Sequence, residues 1–154
     1  MKKVNLNKNW TLVTIDDPSC LPGVSFYNLI KLIIKIVPFK FVIIDDIYGA
    51  VTPALVKNEN IVLNIQDFLI ELLKVKQFDW GDFFLFIEFP TDWKNAKNDS
   101  YSEIIAQTNT TIRAIDDQYM YIYTPYDEIV KIIQDNYQIE SIKNGSLEDL
   151  DYPY

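Results

Sequence analysis

Histidine is absent from the 154 residues, and Cys20 is the single cysteine. Without histidine there is no Ser-His-Asp or Cys-His device, no His-liganded zinc, and no ordinary general base near neutral pH. One cysteine excludes a disulfide framework and any multi-cysteine metal site. With no histidine to activate it, Cys20 reads as a structural, reduced thiol. The four glycines, Gly23, Gly49, Gly81 and Gly145, stand alone, so no phosphate-cradling loop or dinucleotide fingerprint is formed. No apolar stretch reaches the ~18 uncharged residues of a membrane span. The greasiest segment, 26–44, is broken by Lys31, Lys35, Pro38 and Lys40. Lys2 and Lys3 are not followed by an apolar signal-peptide core, so a cytoplasmic chain is expected.

Hydrophobic residues make up 49% and charged residues 23%, enough apolar material for one packed domain spanning 1–154. The net charge is −8 and it is unevenly placed. Residues 1–78 carry 9 basic and 7 acidic groups, whereas 79–154 carry 5 basic and 15 acidic. An acidic half repels phosphate backbones and anionic membranes, so neither nucleic acid nor membrane is an expected partner. It attracts a cationic partner.

Alternation predicts a strand over 10–15 and a turn at Pro22-Gly23. A helix follows over 25–37, capped by Ser25 and stopped by Pro38, with Asn28, Lys31 and Lys35 on its polar side. Phe41 to Ile44 reads as a buried strand ended by Asp45-Asp46, and 48–60 as a loop. Asn64 caps a helix carrying Ile65, Phe68, Leu69, Leu72 and Leu73. Asp79-Trp80-Gly81-Asp82 has turn composition and leads into Phe83 to Phe89, apolar on both faces and so expected inside a sheet. Segments 111–115 and 118–124 flank Asp116-Asp117 as a hairpin. Thr124-Pro125 opens a helix with Asp127 and Glu128 at its positive end. Tyr137 to Ile142 reads as a last strand, Asn144-Gly145 as a turn, and 147–154 as an acidic, aromatic tail that can stay flexible. The class is α+β: a mostly antiparallel central sheet with about three helices packed on it.

Three aspartate pairs, Asp16-Asp17, Asp45-Asp46 and Asp116-Asp117, follow predicted strands. Carboxylates at strand ends can hold Mg²⁺ or act as acid and base, but aspartate also ends strands and makes turns. Turn chemistry is the expected role of these pairs, and no metal, cofactor or catalytic residue is expected. The most informative feature is aromatic and acidic. Tyr119, Tyr121 and Tyr123 share one face of a strand, bracketed by Asp116, Asp117, Tyr126, Asp127 and Glu128. The tail adds Glu148, Asp149, Asp151 and Tyr152. Tyrosine offers large contact area with few rotors to freeze, and carboxylates meet lysine and arginine. The tyrosines either form that interface or pack over the sheet as core.

The segment Tyr121-Ile122-Tyr123-Thr124-Pro125-Tyr126-Asp127-Glu128-Ile129-Val130, with the size and acidity of the whole chain, resembles the toxin-immunity proteins of bacterial contact-dependent growth-inhibition systems. The resemblance implies a small non-catalytic protein that binds a cognate toxin domain, expected to be a basic nuclease, and occludes its active site. Two other classes remain open: an adaptor binding a host protein, and a carboxylate enzyme using a divalent metal.

Overall fold

The computed structural model describes residues 9–16, 22–95, 99–115 and 118–152. Among the described residues seven strands form one sheet: β1 (Trp10–Asp16), β2 (Phe41–Ala50), β3 (Val62–Asn64), β4 (Gln77–Phe86), β5 (Thr110–Ile115), β6 (Tyr119–Thr124) and β7 (Ser141–Gly145). The order is β3-β2-β4-β5-β6-β1-β7, and every paired neighbour is antiparallel. The described residues form five α-helices beside it: α1 (Gly23–Ile34), α2 (Pro53–Lys57), α3 (Ile65–Leu72), α4 (Tyr101–Ala106) and α5 (Asp127–Asn136). The α+β class and the antiparallel sheet are therefore present. No helix of the described residues is long and apolar enough to cross a membrane.

Strand alternation sorts the core into two layers. On the first face Val13, Val42, Ile44, Phe83, Leu85, Ile112, Met120 and Ile122 meet Phe26 and Ile30 of α1, Phe68 and Leu72 of α3, and Ile129 and Ile133 of α5. Phe83 is its aromatic hub, with ring centroids 4.6 Å from Phe26, 5.8 Å from Phe68 and 5.2 Å from Phe78. The second face carries Trp10, Leu12 and Tyr123 under Ile105, Leu147 and Leu150, and Ile43, Phe84 and Phe86 under Ile104 and Trp93. It is covered by α4, the segment before it, and the C-terminal residues. β4 thus lies between β2 and β5 with apolar side chains on both faces, as its composition predicts.

Local signals explain several boundaries. The Asn64 side chain accepts from the Gln66 amide at 2.9 Å and starts α3. Ser100 accepts from the Glu103 amide at 3.3 Å and caps α4.

Other expectations are corrected. Asp79-Trp80-Gly81-Asp82 is not a turn: Trp80 pairs with Ile115, and Asp82 with Arg113, inside β4. Asp45-Asp46 does not end β2, which continues through a bulge to Ala50. The 48–60 segment holds the end of β2 and α2, the latter capped by Thr52 with Pro53 in its first turn. Ser25 is not a cap, because α1 already starts at Gly23 after Pro22. The α5 cap position is Tyr126 rather than Thr124, whose hydroxyl instead accepts from the Tyr126 amide at 3.2 Å. Asn144 and Gly145 lie in β7, held against Thr11 and Trp10 of β1. The 147–154 tail is not free as far as it is described. Leu147 and Leu150 are buried, and the Tyr152 ring stacks on Tyr123 at 5.3 Å.

Candidate functional site

Register aligns one polar row across the second face. Ser141 pairs with Thr14, Thr14 with Tyr121, Tyr121 with Arg113, Arg113 with Asp82, and Asp82 with Asp45. At its centre the Arg113 Nε donates to Asp82 Oδ1 at 2.9 Å, and both side chains are almost fully buried. The Tyr101 hydroxyl, delivered by α4, donates to the same oxygen at 2.9 Å. The guanidinium lies 4.1 Å from the Tyr101 ring centre and 5.5 Å from that of Trp80, so aromatic faces replace part of its hydration.

Burial pushes the Asp82 carboxyl up to about 6, while Arg113 and the Tyr101 hydroxyl pull it back and Asp45 and Asp46 add to the rise. Burial, then the charge of Asp82, holds the Tyr101 phenol well above its usual range. Burial also raises Tyr123 and Tyr152. Removing the Tyr101 hydroxyl takes away one stabiliser of the carboxylate. Tyr101→Phe should therefore move Asp82 above about 6 in a carbon NMR titration. It should cost about 1–3 kcal/mol of stability, the range for a hydrogen bond to a charged group and an acceptor left short of a donor.

Beside this network the face opens. A cleft of about 490 Å³ lies between β1, β6, β7 and the C-terminal segment. Its floor is Leu12, Thr14 and Tyr121; its walls are Glu140, Ser141, Lys143, Asp151 and Tyr152. Lys143 Nζ lies 3.4 Å from Asp151 Oδ1, and both side chains are solvent-exposed, so the pair contributes little and opens at low cost. Glu140 is exposed. The cleft thus offers aromatic rings, hydroxyls and two carboxylates against one ammonium among its described lining residues.

The residues singled out by sequence divide between several places. Asp116 and Asp117 lie outside the described residues. Tyr121, Asp151 and Tyr152 meet in the cleft. Tyr119 lies half-buried next to it, its ring 6.1 Å from that of Tyr121. Glu148 and Asp149 are exposed on a short 3-10 turn leading to the cleft wall. Tyr123 is a correction: it is fully buried, and its hydroxyl donates to the Asp151 carbonyl oxygen at 2.7 Å, so it anchors the C-terminal segment rather than facing a partner. Tyr126, Asp127 and Glu128 are not on this face either. They start α5, which packs on the other layer, and Tyr126 lies edge-on to Phe39 at 6.2 Å.

The strands β1, β2 and β5 run in one direction, since each is two antiparallel steps or four from the others. Asp16, Asp45 and Asp46 therefore lie toward one end of the sheet. Among the described residues no group of three metal-capable side chains forms there or elsewhere. Asp16 accepts from Gln118 Nε2 at 2.8 Å, and Asp45 from Asn60 and Asn95, each at 2.9 Å.

The Asp82–Arg113–Tyr101 network was not singled out by sequence. Its one signal was Arg113, the only arginine in the chain, in the middle of an otherwise uncharged strand. A strand arginine with apolar neighbours calls for a buried acid, but sequence does not say which of 22 supplies it.

No family model, curated protein or solved structure matches this chain.

Proposed function

We propose that this chain is a non-catalytic binding protein of the cytoplasm that neutralises a cationic toxin domain, most naturally a nuclease, by occupying its active-site groove. The observation that supports this reading is the cleft, where Tyr121 and Tyr152 lie with Asp151 and Glu140 on a chain of net charge −8. A nuclease groove presents lysines and arginines meant for phosphate. A surface with exposed carboxylates occupies those cations, and tyrosine rings supply contact area and cation–π attraction. Opposite charge speeds the encounter, so affinity should fall with salt mainly through a slower on-rate.

The test begins with affinity capture from the source cell and its neighbours, followed by mass spectrometry for a stoichiometric basic protein. Binding to that protein is then measured for Glu140→Lys with Asp151→Lys, against Lys31→Glu in α1 with Lys35→Glu at its C-terminal end. The cleft pair should lose about tenfold or more in affinity, about 1.4 kcal/mol, and the helix pair little. Equal losses would remove the cleft from the interface, and capture of a neutral host protein alone would favour an adaptor.

A further inference from the structure

Toward the other edge of the sheet the backbone departs from regular geometry. The β2–β4 register shifts between Asp45 and Tyr48 and again between Tyr48 and Gly49. Asp46 has φ 54° and Asn60 φ 61°, two non-glycine residues in the left-handed region. Each such residue costs on the order of 1 kcal/mol or more and persists only when its surroundings hold it. Here the Asn60 amide donates to the Ile44 carbonyl at 2.7 Å, and the Asn60 and Asn95 side chains grip the two oxygens of Asp45 at 2.9 Å each. A bulge of this kind re-aims side chains. The one it turns outward is Tyr48, 63% exposed in a sheet whose other large β2 side chains are mostly covered.

Tyr48 stands beside a depression of about 600 Å³ between β2 and α2, into which Val51, Pro53 and Val56 also open. Val56 is 47% exposed. Asp46 and Glu59 line the rim, with Lys57 between them in sequence from α2. The patch is apolar at its centre and carries more acid than base at its edge.

We infer that this depression is a docking site for a segment of another protein that carries an apolar side chain beside a basic one. The apolar group fills the space between Tyr48 and Val56, and the basic group meets Asp46 and Glu59. Charge selects this occupant. A second copy would bring the same acidic rim and another net −8, and like charges brought together are destabilising. The surface is separate from the cleft, since β4, β5 and β6 lie between β2 and β1. It therefore stands whether or not the cleft binds a toxin.

The test is an amide NMR titration of the isotope-labelled full chain with three blocked tripeptides: Lys-Leu-Lys, Lys-Ser-Lys and Glu-Leu-Glu. Lys-Leu-Lys should shift amides within 46–59. Lys-Ser-Lys should bind about fivefold more weakly, the loss expected from part of a leucine side chain left unburied. Glu-Leu-Glu should leave these amides unmoved. Tyr48→Ser and Val56→Ser, both at exposed positions, should each weaken Lys-Leu-Lys about fivefold while keeping the thermal midpoint. Equal response to the acidic peptide, shifts confined to another surface, or unchanged binding in both variants would overturn the assignment. So would self-association in sedimentation that Tyr48→Ser abolishes, because the occupant would then be a second copy.

Discussion

Asp82→Ala should cost about 3–5 kcal/mol of folding stability at pH 7, because it leaves the Arg113 guanidinium and the Tyr101 hydroxyl buried without their shared acceptor. Asp82→Asn should be far milder. The carboxyl titrates at about 6 in the fold against an ordinary 3.8, so burying its charge is unfavourable even beside Arg113. What holds the network is the oxygen, and asparagine keeps one. Replacing both ends with apolar residues, Asp82→Leu with Arg113→Met, should recover most of the loss suffered by Asp82→Ala. Urea unfolding of the four proteins separates acceptor from charge: if Asn costs as much as Ala, the charge itself is required. The pH dependence follows with a definite sign. The folded value is raised, so this group's stabilisation is complete below about 3.8 and is lost as pH rises through about 6. Relative to Asp82→Asn, the natural protein should therefore lose on the order of 1–3 kcal/mol between pH 4 and pH 7. A flat difference would mean that Asp82 ionises in the fold as it does in water.

Gly23→Ala should be the most damaging single methyl addition in the chain. A Cβ there would lie 1.9 Å from the Leu72 carbonyl oxygen and 2.6 Å from that of Val75. Both obstacles are backbone, so no rotamer change relieves them, and the Gly23 amide is itself bonded to the Val75 oxygen at 3.1 Å. The start of α1 must lift off the end of α3, with Phe26 and Phe68 one turn inside the contact at 6.3 Å. Overpacking of this kind costs about 1–3 kcal/mol, and more when backbone must move. Gly145→Ala is the matched control. Its added carbon would meet only Asp149 at 3.7 Å and Leu150 at 4.0 Å, ordinary contacts, so the change should be neutral or gain about 0.5–1 kcal/mol. Thermal melts of the two variants should move in different directions, or one should fall and the other stay.

Those two sites also mark where sequence reading succeeds and where it stops. The β5–β6 hairpin and the Asn64 cap were legible because short-range patterns decide them. The turn expected at Asp79 to Asp82 was not, because long-range pairing overrides composition: Arg113 and Ile115 hold that segment extended. Ser25 looked like a cap, yet the helix begins earlier, where only glycine lets α1 approach α3 so closely. Tyr121, Asp151 and Tyr152 are residue types suited to an interface. Their meeting in one cleft depends on β1 lying between β6 and β7, which no local pattern encodes. The same topology sends Tyr126, Asp127 and Glu128 to the opposite layer, although they are close to Tyr123 in sequence.

That placement of β1 has a consequence for synthesis. Thr11 and Asn144 share a hydrogen bond across 133 residues of chain, and neither sheet neighbour of β1 exists until β6 and β7 have left the ribosome. Until then Trp10, Leu12, Val13 and Ile15 have no strand to pair with, and loop closure over such lengths makes folding slow. The half made of β2, β3 and β4 with α3 can pair as it emerges, since its strands follow one another closely. β1 is thus inserted after strands translated later than itself, and the emerging chain carries an exposed apolar segment until β6 and β7 follow, a ready target for chaperones.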